Sequence, residues 1–265
     1  MKISIVTISF NQKDYLKYCI DSILSQPDEI ELIIVDAGST DGSRDLIDSY
    51  GDRVIKIYES DQGPADGLNK GFKLATGDIY GFINSDDGLV PNCSSQIIKF
   101  FTSDDKVSAI SGSGYFIDQN SEIIGQTATS KITPMLFALD AVTLFQQSTF
   151  FRKEAFNLVG GFNKLNKTCW DAELFIDMAK KGIKFKLVNT KIGFFRLHTE
   201  SITVSGKFEK QLKIDLALIN SDFNNPLVKF LKNFKSSIKF ICDPFYIIRK
   251  GCLKRDPFKR FKKNG

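Results

Sequence analysis

The stretch Ile79-Tyr80-Gly81-Phe82-Ile83-Asn84-Ser85-Asp86-Asp87-Gly88 decides how this chain is read. An apolar run of strand character, Ile79 to Ile83, stops abruptly at two adjacent carboxylates and a glycine. Side chains alternate along an extended backbone, so Asn84 and Asp86 face one way, Ser85 and Asp87 the other. A carboxylate at a strand's end holds a hard divalent cation such as Mg²⁺ and leaves positions open for phosphate oxygens. Taken alone, the same letters also describe a polar turn closing a strand.

Working outward, strand and helix patterns alternate. Ile3 to Ile8, Leu32 to Val35 and Val54 to Tyr58 read as strands. Between them, Asp14 to Ser25 has the one-faced spacing of a helix, with Tyr15, Leu16, Cys19, Ile20, Ile23 and Leu24 apolar. Ser43 to Tyr50 and Ala65 to Ala75 are the next helices. Repeated β-α-β units predict a parallel sheet covered on both faces, with ligands beyond the carboxyl ends of its strands. Three polar loops fall at those ends: Ser9-Phe10-Asn11, Asp36 to Gly42, and Asn84 to Asp87. Further on, Val107 to Ile117, Ile123 to Thr127, Ser148 to Arg152, Lys184 to Val188 and Ile192 to Leu197 suggest strands, and Trp170 to Lys181 a helix.

Composition narrows the class. At 265 residues, 42% hydrophobic and 25% charged, the chain has the make-up of an ordinary globular protein. No run approaches 18 apolar residues, so no spanning helix is expected, and Met1 to Phe10 reads as a first strand and not a signal peptide. Five scattered cysteines without a Cys-x-x-Cys pair argue against zinc or a disulfide framework, and His198 is the only histidine. Residues 225–265 hold twelve Lys and Arg against Asp243 and Asp256, a balance of +10 in a chain of net +5. The other 224 residues are therefore net −5.

Individual residues then acquire candidate roles. In the loop Asp36 to Gly42, Ser39 or Asp41 suits a helix cap, and Asp36 suits a base or ribose. The loop has no Gly-x-x-x-x-Gly-Lys-Ser/Thr, and Gly112-Ser113-Gly114 lacks the third glycine of a dinucleotide motif. Around Pro64, Gly67 and Gly71 weaken a helix, which implies close approach to another segment or a ligand. Asp66 and Asn69 share a face there. Asp171 shares the apolar stripe of Leu174, Phe175 and Met178, where the helix dipole keeps a base ionised, whereas Glu173 points away. Thr168 and Asp171 also resemble a capping box. Arg196 and His198 share one side of the last strand, placed for diphosphate oxygens or a metal.

These residues, in this order, resemble the inverting family 2 glycosyltransferases of GT-A fold, over roughly residues 1–205. The likeness is carried by Ile5-Val6-Thr7-Ile8-Ser9-Phe10-Asn11, Val35 to Gly42, Asp61 to Pro91, Gln146 to Phe150 and Gly160-Gly161-Phe162. The resemblance implies an α/β, Rossmann-like, mainly parallel mixed sheet flanked by helices, with a nucleotide-binding half (1–105) and an acceptor half (106–205). It implies transfer of a hexosyl-type sugar, with inversion, from a UDP- or GDP-linked donor to a hydroxyl of a glycan or lipid-linked acceptor. Asp171 would be the catalytic base. Asp86, with His198, would hold a divalent Mg²⁺ or Mn²⁺. Thr7, Ser9, Asn11, Asp36, Asp66, Asn69, Lys70, Asn84 and Ser85 would meet the donor, and Gln147, Trp170 and Arg196 the acceptor or diphosphate. Asn84 departs from the motif's first acid, and Ala37 from the acid that often follows Asp36. A nucleotidyltransferase and a non-catalytic nucleotide- or glycan-binding module are the competing readings, and no nucleic-acid partner is expected.

The remaining segment, 206–265, reads as a helical, basic, amphipathic extension. Leu227, Phe230, Leu231, Phe234, Ile238 and Ile241 recur at helical steps between lysines, and Lys250 to Lys263 form a basic cluster. This suits a helix in an anionic membrane interface, which would put a cytoplasmic enzyme of polysaccharide biosynthesis at the inner face of the cell membrane. Packing of the stripe on the domain is the alternative.

Overall fold

The computed structural model describes residues 1–199 and 208–246. The basic cluster from Lys250 to Lys263 lies outside the described residues. Nine strands form one mixed sheet in the order β3-β2-β1-β4-β8-β6-β9-β5, with β7 paired to β6. The first four in that order are parallel: β3 (Ile55–Tyr58), β2 (Ile30–Asp36), β1 (Ile3–Ser9) and β4 (Ile79–Phe82). They are joined through α1 (Lys13–Leu24), α2 (Ser43–Asp48) and α3 (Pro64–Leu74). Apolar runs over strands buried on both faces are what such a sheet requires, and Ile3, Ile5, Val6, Leu32, Ile33 and Ile34 are essentially inaccessible.

Gly67 and Gly71 show what approaches α3. A Cβ on Gly71 would sit 2.3 Å from Val6 Cγ1, and one on Gly67 would sit 2.8 Å from Asp61 Oδ2 and 3.1 Å from Ile8 Cγ2. The close neighbour is the sheet at Gly71, and the Asp61 carboxylate as well as the sheet at Gly67. Helix α3 lies on β1 and β2 at a distance only glycine permits.

Beyond β4 the sheet changes character. Strand β8 (Thr149–Arg152) pairs antiparallel with β4 and with β6 (Ala109–Ile117). The two strands expected at 184–188 and 192–197 are one, β9 (Phe185–Arg196), parallel to β6 with register shifts around Ser113. Short β5 (Gly88–Leu89) and β7 (Ile123–Ala128) complete the sheet. Helices α4 (Ser94–Thr102), α5 (Pro134–Ala138) and α6 (Lys153–Val159) were not expected from the sequence. Helix α7 (Trp170–Lys180) was expected, and it buries Leu174, Phe175 and Met178.

The extension contains α8 (Glu209–Ile219), α9 (Pro226–Leu231) and α10 (Lys235–Cys242). It docks on α7 and α5: Thr168 Oγ1 donates to Asp215 at 2.6 Å, and Val228 packs with Leu136, Ala138 and Leu139. No helix among the described residues is long and apolar enough to cross a membrane.

Candidate active site

Two of the three polar loops bond each other directly. Asn11 N–H donates to Ser39 Oγ at 2.8 Å, and Thr40 N–H returns a bond to Asn11 Oδ1 at 2.8 Å. Asp41 joins two helix starts, accepting from Ser43 N at 2.9 Å and from Lys13 N at 2.9 Å. Of the two capping candidates, then, Asp41 serves, while Ser39 serves Asp36 and Asn11. Asp36 is wholly buried and accepts from Gly38 N, Ser39 N, Ser39 Oγ and Arg44 Nε. Burial alone would raise its carboxyl. The Ser39 hydroxyl, the Arg44 guanidinium and the backbone donors outweigh burial and hold it below its ordinary value. The third loop is tied to α1, whose Cys19 Sγ donates to Asn84 O at 3.3 Å.

At the end of β4 the extended backbone gives way to a turn, closed by Asp87 N–H donating to Asn84 O at 3.0 Å, and exposure nevertheless alternates. Asn84 and Asp86 are partly exposed, and Ser85 and Asp87 are buried. Asp86 keeps 17% of its side-chain surface open, and its Oδ2 lies 2.9 Å from His198 Nε2. The His198 ring rests 4.8 Å from Tyr15 of α1. Asp86 and His198 fit a divalent cation, and the neighbouring Asn84 Oδ1 is a buried oxygen with no hydrogen-bond partner among the described residues. No group of three or more His, Cys, Asp or Glu able to hold a metal occurs among the described residues. Oxygens of a diphosphate and water would have to complete the coordination.

Asp87 and Arg196 form the scaffold beneath. Asp87 accepts from Gln147 Nε2 at 2.7 Å and from Arg196 N at 3.0 Å. Burial drives its carboxyl well above the ordinary range, and the charge of Asp86 adds to the rise. Arg196 is 1% exposed. Its guanidinium lies between Tyr15 and Tyr18, 4.9 Å from each ring, and donates to Asp86 O at 2.8 Å and Asp118 O at 2.8 Å. The sequence reading aimed Arg196 and Gln147 at diphosphate or acceptor. In the fold their observed bonds brace the Asp86–Asp87 turn instead. One signal for this role of Asp87 was present in the sequence: a carboxylate expected to face inward needs donors.

Asp171 stands in the first turn of α7, half-buried. Desolvation raises its carboxyl above the ordinary value, against the backbone N–H groups of Ala172 and Asp171. It is no capping box: Cys169 occupies the cap, Thr168 bonds Asp215, and Asn166 Oδ1 accepts from Cys169 N at 2.9 Å. On the same stripe, the Phe175 ring lies 6.2 Å from Phe82, two residues before Asn84. The α7 face bearing Asp171 is thereby packed against the end of β4. Glu173 accepts from Asn163 at 2.9 Å and Asn166 at 2.7 Å, so it ties down the preceding loop and is not simply solvated as expected.

Several expected donor contacts sit elsewhere. Thr7 is inaccessible and faces Cys19 beneath α1. Asn69 exchanges two 2.9 Å bonds with the Phe162 backbone. Trp170 is 8% exposed, within the apolar cluster of Phe82 and Phe175. Lys70 Nζ donates to Ser60 O at 2.5 Å. Asp66 lies 2.6 Å from Lys164 Nζ, which lowers its pKa. Ser9, by contrast, has a buried hydroxyl without a partner among the described residues, and Phe10 beside it is 59% exposed.

Residues 4–160 match the family model for glycosyl transferase family 2. The chain belongs to that family. It is 26% identical over 249 residues to an uncharacterized glycosyltransferase of Nostoc sp., covering 86% of this chain and 76% of that one. It is 27% identical over 234 residues to chondroitin synthase of Pasteurella multocida, covering 85% of this chain but 24% of the synthase. Among solved structures, residues 1–349 of S. aureus TarS in complex with UDP-GlcNAc superpose with a TM-score of 0.62 at 17% identity, over 92% of this chain and 74% of that one. A Pyrobaculum calidifontis mannosyltransferase in complex with GDP-Man and Mn²⁺ gives 0.58 at 16% identity, over 99% and 78%. The GT-A fold expected from the sequence is therefore the fold observed.

Proposed function

We propose that this glycosyltransferase moves a hexosyl-type sugar, with inversion, from a UDP- or GDP-linked donor to a hydroxyl of a glycan or lipid-linked acceptor. The observation that carries the reading is the Asp86–His198 pair at the carboxyl end of β4, with the two bonded loops after β1 and β2 on one side and the α7 stripe that bears Asp171 packed against Phe82 on the other. The solved relatives bound to UDP-GlcNAc and to GDP-Man with Mn²⁺ support it.

In this reading the nucleoside lies over the Ser9–Asn11 and Asp36–Gly42 loops, with the exposed Phe10 ring as an apolar platform and the Ser9 hydroxyl as a polar contact. Asp86 and His198 would hold Mg²⁺ or Mn²⁺, which would supply Lewis-acid neutralisation of charge on the nucleoside diphosphate. Asp171, whose carboxyl burial raises above its ordinary value, takes the proton of the attacking acceptor hydroxyl when it is in its carboxylate form. The buried Asp87–Gln147–Arg196 scaffold fixes the Asp86 turn, so the carboxylate is oriented before the donor arrives.

Residues 1–205 form the catalytic domain and 206–265 an extension that meets an anionic membrane surface at the cytoplasmic face. Leu227, Phe230, Phe234, Phe240, Ile241 and Phe245 are 49–75% exposed between Lys229, Lys232, Lys235 and Lys239.

The decisive experiment incubates the protein with a panel of UDP- and GDP-sugars, Mn²⁺ or Mg²⁺, and lipid-linked acceptors. Release of nucleoside diphosphate is expected. Pyrophosphate exchange would point to a nucleotidyltransferase, and binding without turnover to a non-catalytic module.

A further inference from the structure

A cavity of about 540 Å³ lies between the extension and the core, and no residue of the candidate active site lines it. Phe137, Val142, Leu216 and Val228 give it apolar walls. Lys213, Lys229 and Lys232 also line it, against the single carboxylate of Asp140. Lys232 spans 3.5 Å to Asp140 and Lys213 spans 3.1 Å to Glu209, both surface pairs that water screens and an anion can displace. Lys229 forms no ion pair among the described residues. Helix α8 divides its faces accordingly: Asp215 and Ile219 turn to α7, Lys213 and Ala217 turn to the cavity, and Leu216 borders both.

The volume is that of a small-ligand site. A sugar or a nucleotide would need a dense set of hydrogen-bond partners, and among the lining residues only Asn220 and Asn224 offer side-chain amides. Ammonium groups beside an apolar wall match instead a phosphate carried on a hydrocarbon chain. The same short helix, α9, continues this chemistry outward: Leu227 and Phe230, flanking Val228 and Lys229, are 65% and 59% exposed.

We propose that this cavity binds one anionic membrane phospholipid, its phosphate among Lys213, Lys229 and Lys232 and its first methylene groups against Val142, Leu216 and Val228. The proposal rests on the membrane-facing reading of the extension and deepens it. A basic surface attracts headgroups diffusely, whereas a cavity holds a single lipid with fixed stoichiometry.

The full chain is titrated calorimetrically with dihexanoyl phosphatidic acid below its micellar concentration, beside inorganic phosphate and uncharged dihexanoylglycerol. Saturable one-to-one binding of the phosphatidic acid is expected, with inorganic phosphate and the uncharged lipid each weaker by about tenfold or more. Ala217→Trp, at an exposed helix position lining the cavity, and Lys229→Glu should each weaken it by about tenfold, with folding checked by circular dichroism. Undiminished binding in both variants overturns the proposal. So does equal affinity for inorganic phosphate, which makes the site a plain anion site, or for dihexanoylglycerol, which removes the role of the lysines. Sedimentation with anionic vesicles is measured separately. One-to-one lipid binding that both variants weaken supports the cavity even if no vesicle binding is seen, a result that would count against the membrane reading alone.

Discussion

The loops above β1, β2 and β4 and the C-terminal extension are both chain outside the main sheet, yet they are held in contrasting ways. In the loops, polar side chains satisfy one another: Asn11 with Ser39 and Thr40, Asp41 with two helix starts, Asp36 with four donors. The extension is held by a packed apolar face and by scattered polar bonds to the core, from Thr168 to Asp215, from Lys131 N to Asp243 and from Lys180 to Asp222. Val228, Leu231 and Ile238 pack toward Leu136 and Leu139, while Leu227, Phe230, Phe234 and Ile241 remain in solvent. The first arrangement is ready to receive a charged ligand without rearranging. The second still has apolar surface to bury. A prearranged polar site suits chemistry, and an incompletely covered apolar face suits docking.

The contrast breaks first on catalysis. Asp171→Asn keeps shape and donor binding but removes the proton acceptor, so kcat should fall about 10²–10⁴-fold. Asp86→Ala should abolish metal-dependent turnover with the melting temperature unchanged. Wild-type transfer at saturating donor in either variant would dismantle the site. With Asp171 raised by burial, its working form is lost as pH falls through that raised value. The acid limb of the kcat profile should therefore lie above the ordinary carboxylate range of about 4. A limb at or below that range would exclude Asp171 as the base.

Packing gives the next largest effect. Gly71→Ala puts a Cβ 2.3 Å from Val6 and 3.2 Å from Val35, and should cost about 1–3 kcal/mol in denaturant unfolding. A neutral result would mean that α3 can lift off the sheet freely. Glu31 sharpens the same region: burial would raise its carboxyl, but bonds from Lys2, Ser4 and Thr76 pull it down to about 2. The stability it contributes is fully present above its unfolded value near 4.3 and is lost as pH falls toward 2. Glu31→Gln should flatten that part of the stability profile by about 1–2 kcal/mol.

The smallest effect on stability belongs to the extension. Phe230→Ser with Phe234→Ser should change unfolding free energy by less than about 0.5 kcal/mol while reducing sedimentation with anionic vesicles. Val228→Ala, on the packed face, should cost about 1–2 kcal/mol. Equal costs on the two faces would erase the distinction between them.

Much of the fold was legible because period-2 and period-3.6 patterns report local geometry directly. All four parallel strands and the three helices between them lie within a few residues of their expected spans. Helix α6 was missed because Lys153 to Val159 is short and follows β8 without a break. The single strand β9 was read as two because Asn189 to Lys191 is polar, and its register shifts against β6 are invisible in one strand's own sequence.

The site divides the same way. The alternation expected after Ile83 matches the exposure of Asp86 and the burial of Asp87, although a turn and not an extended strand produces them, and helical spacing put Asp171 on the stripe of Leu174 and Phe175. What only the tertiary structure decided is which partner each polar group finds across long separations. Arg196 was drawn from the diphosphate to the carbonyls of Asp86 and Asp118, and Asn69 to Phe162. Thr7 was turned beneath α1 toward Cys19, and Gly71 was pressed against Val6. A buried donor must be satisfied wherever the fold brings an acceptor, and that acceptor can lie a hundred residues away. Sequence period therefore determined the faces, and packing decided the pairs.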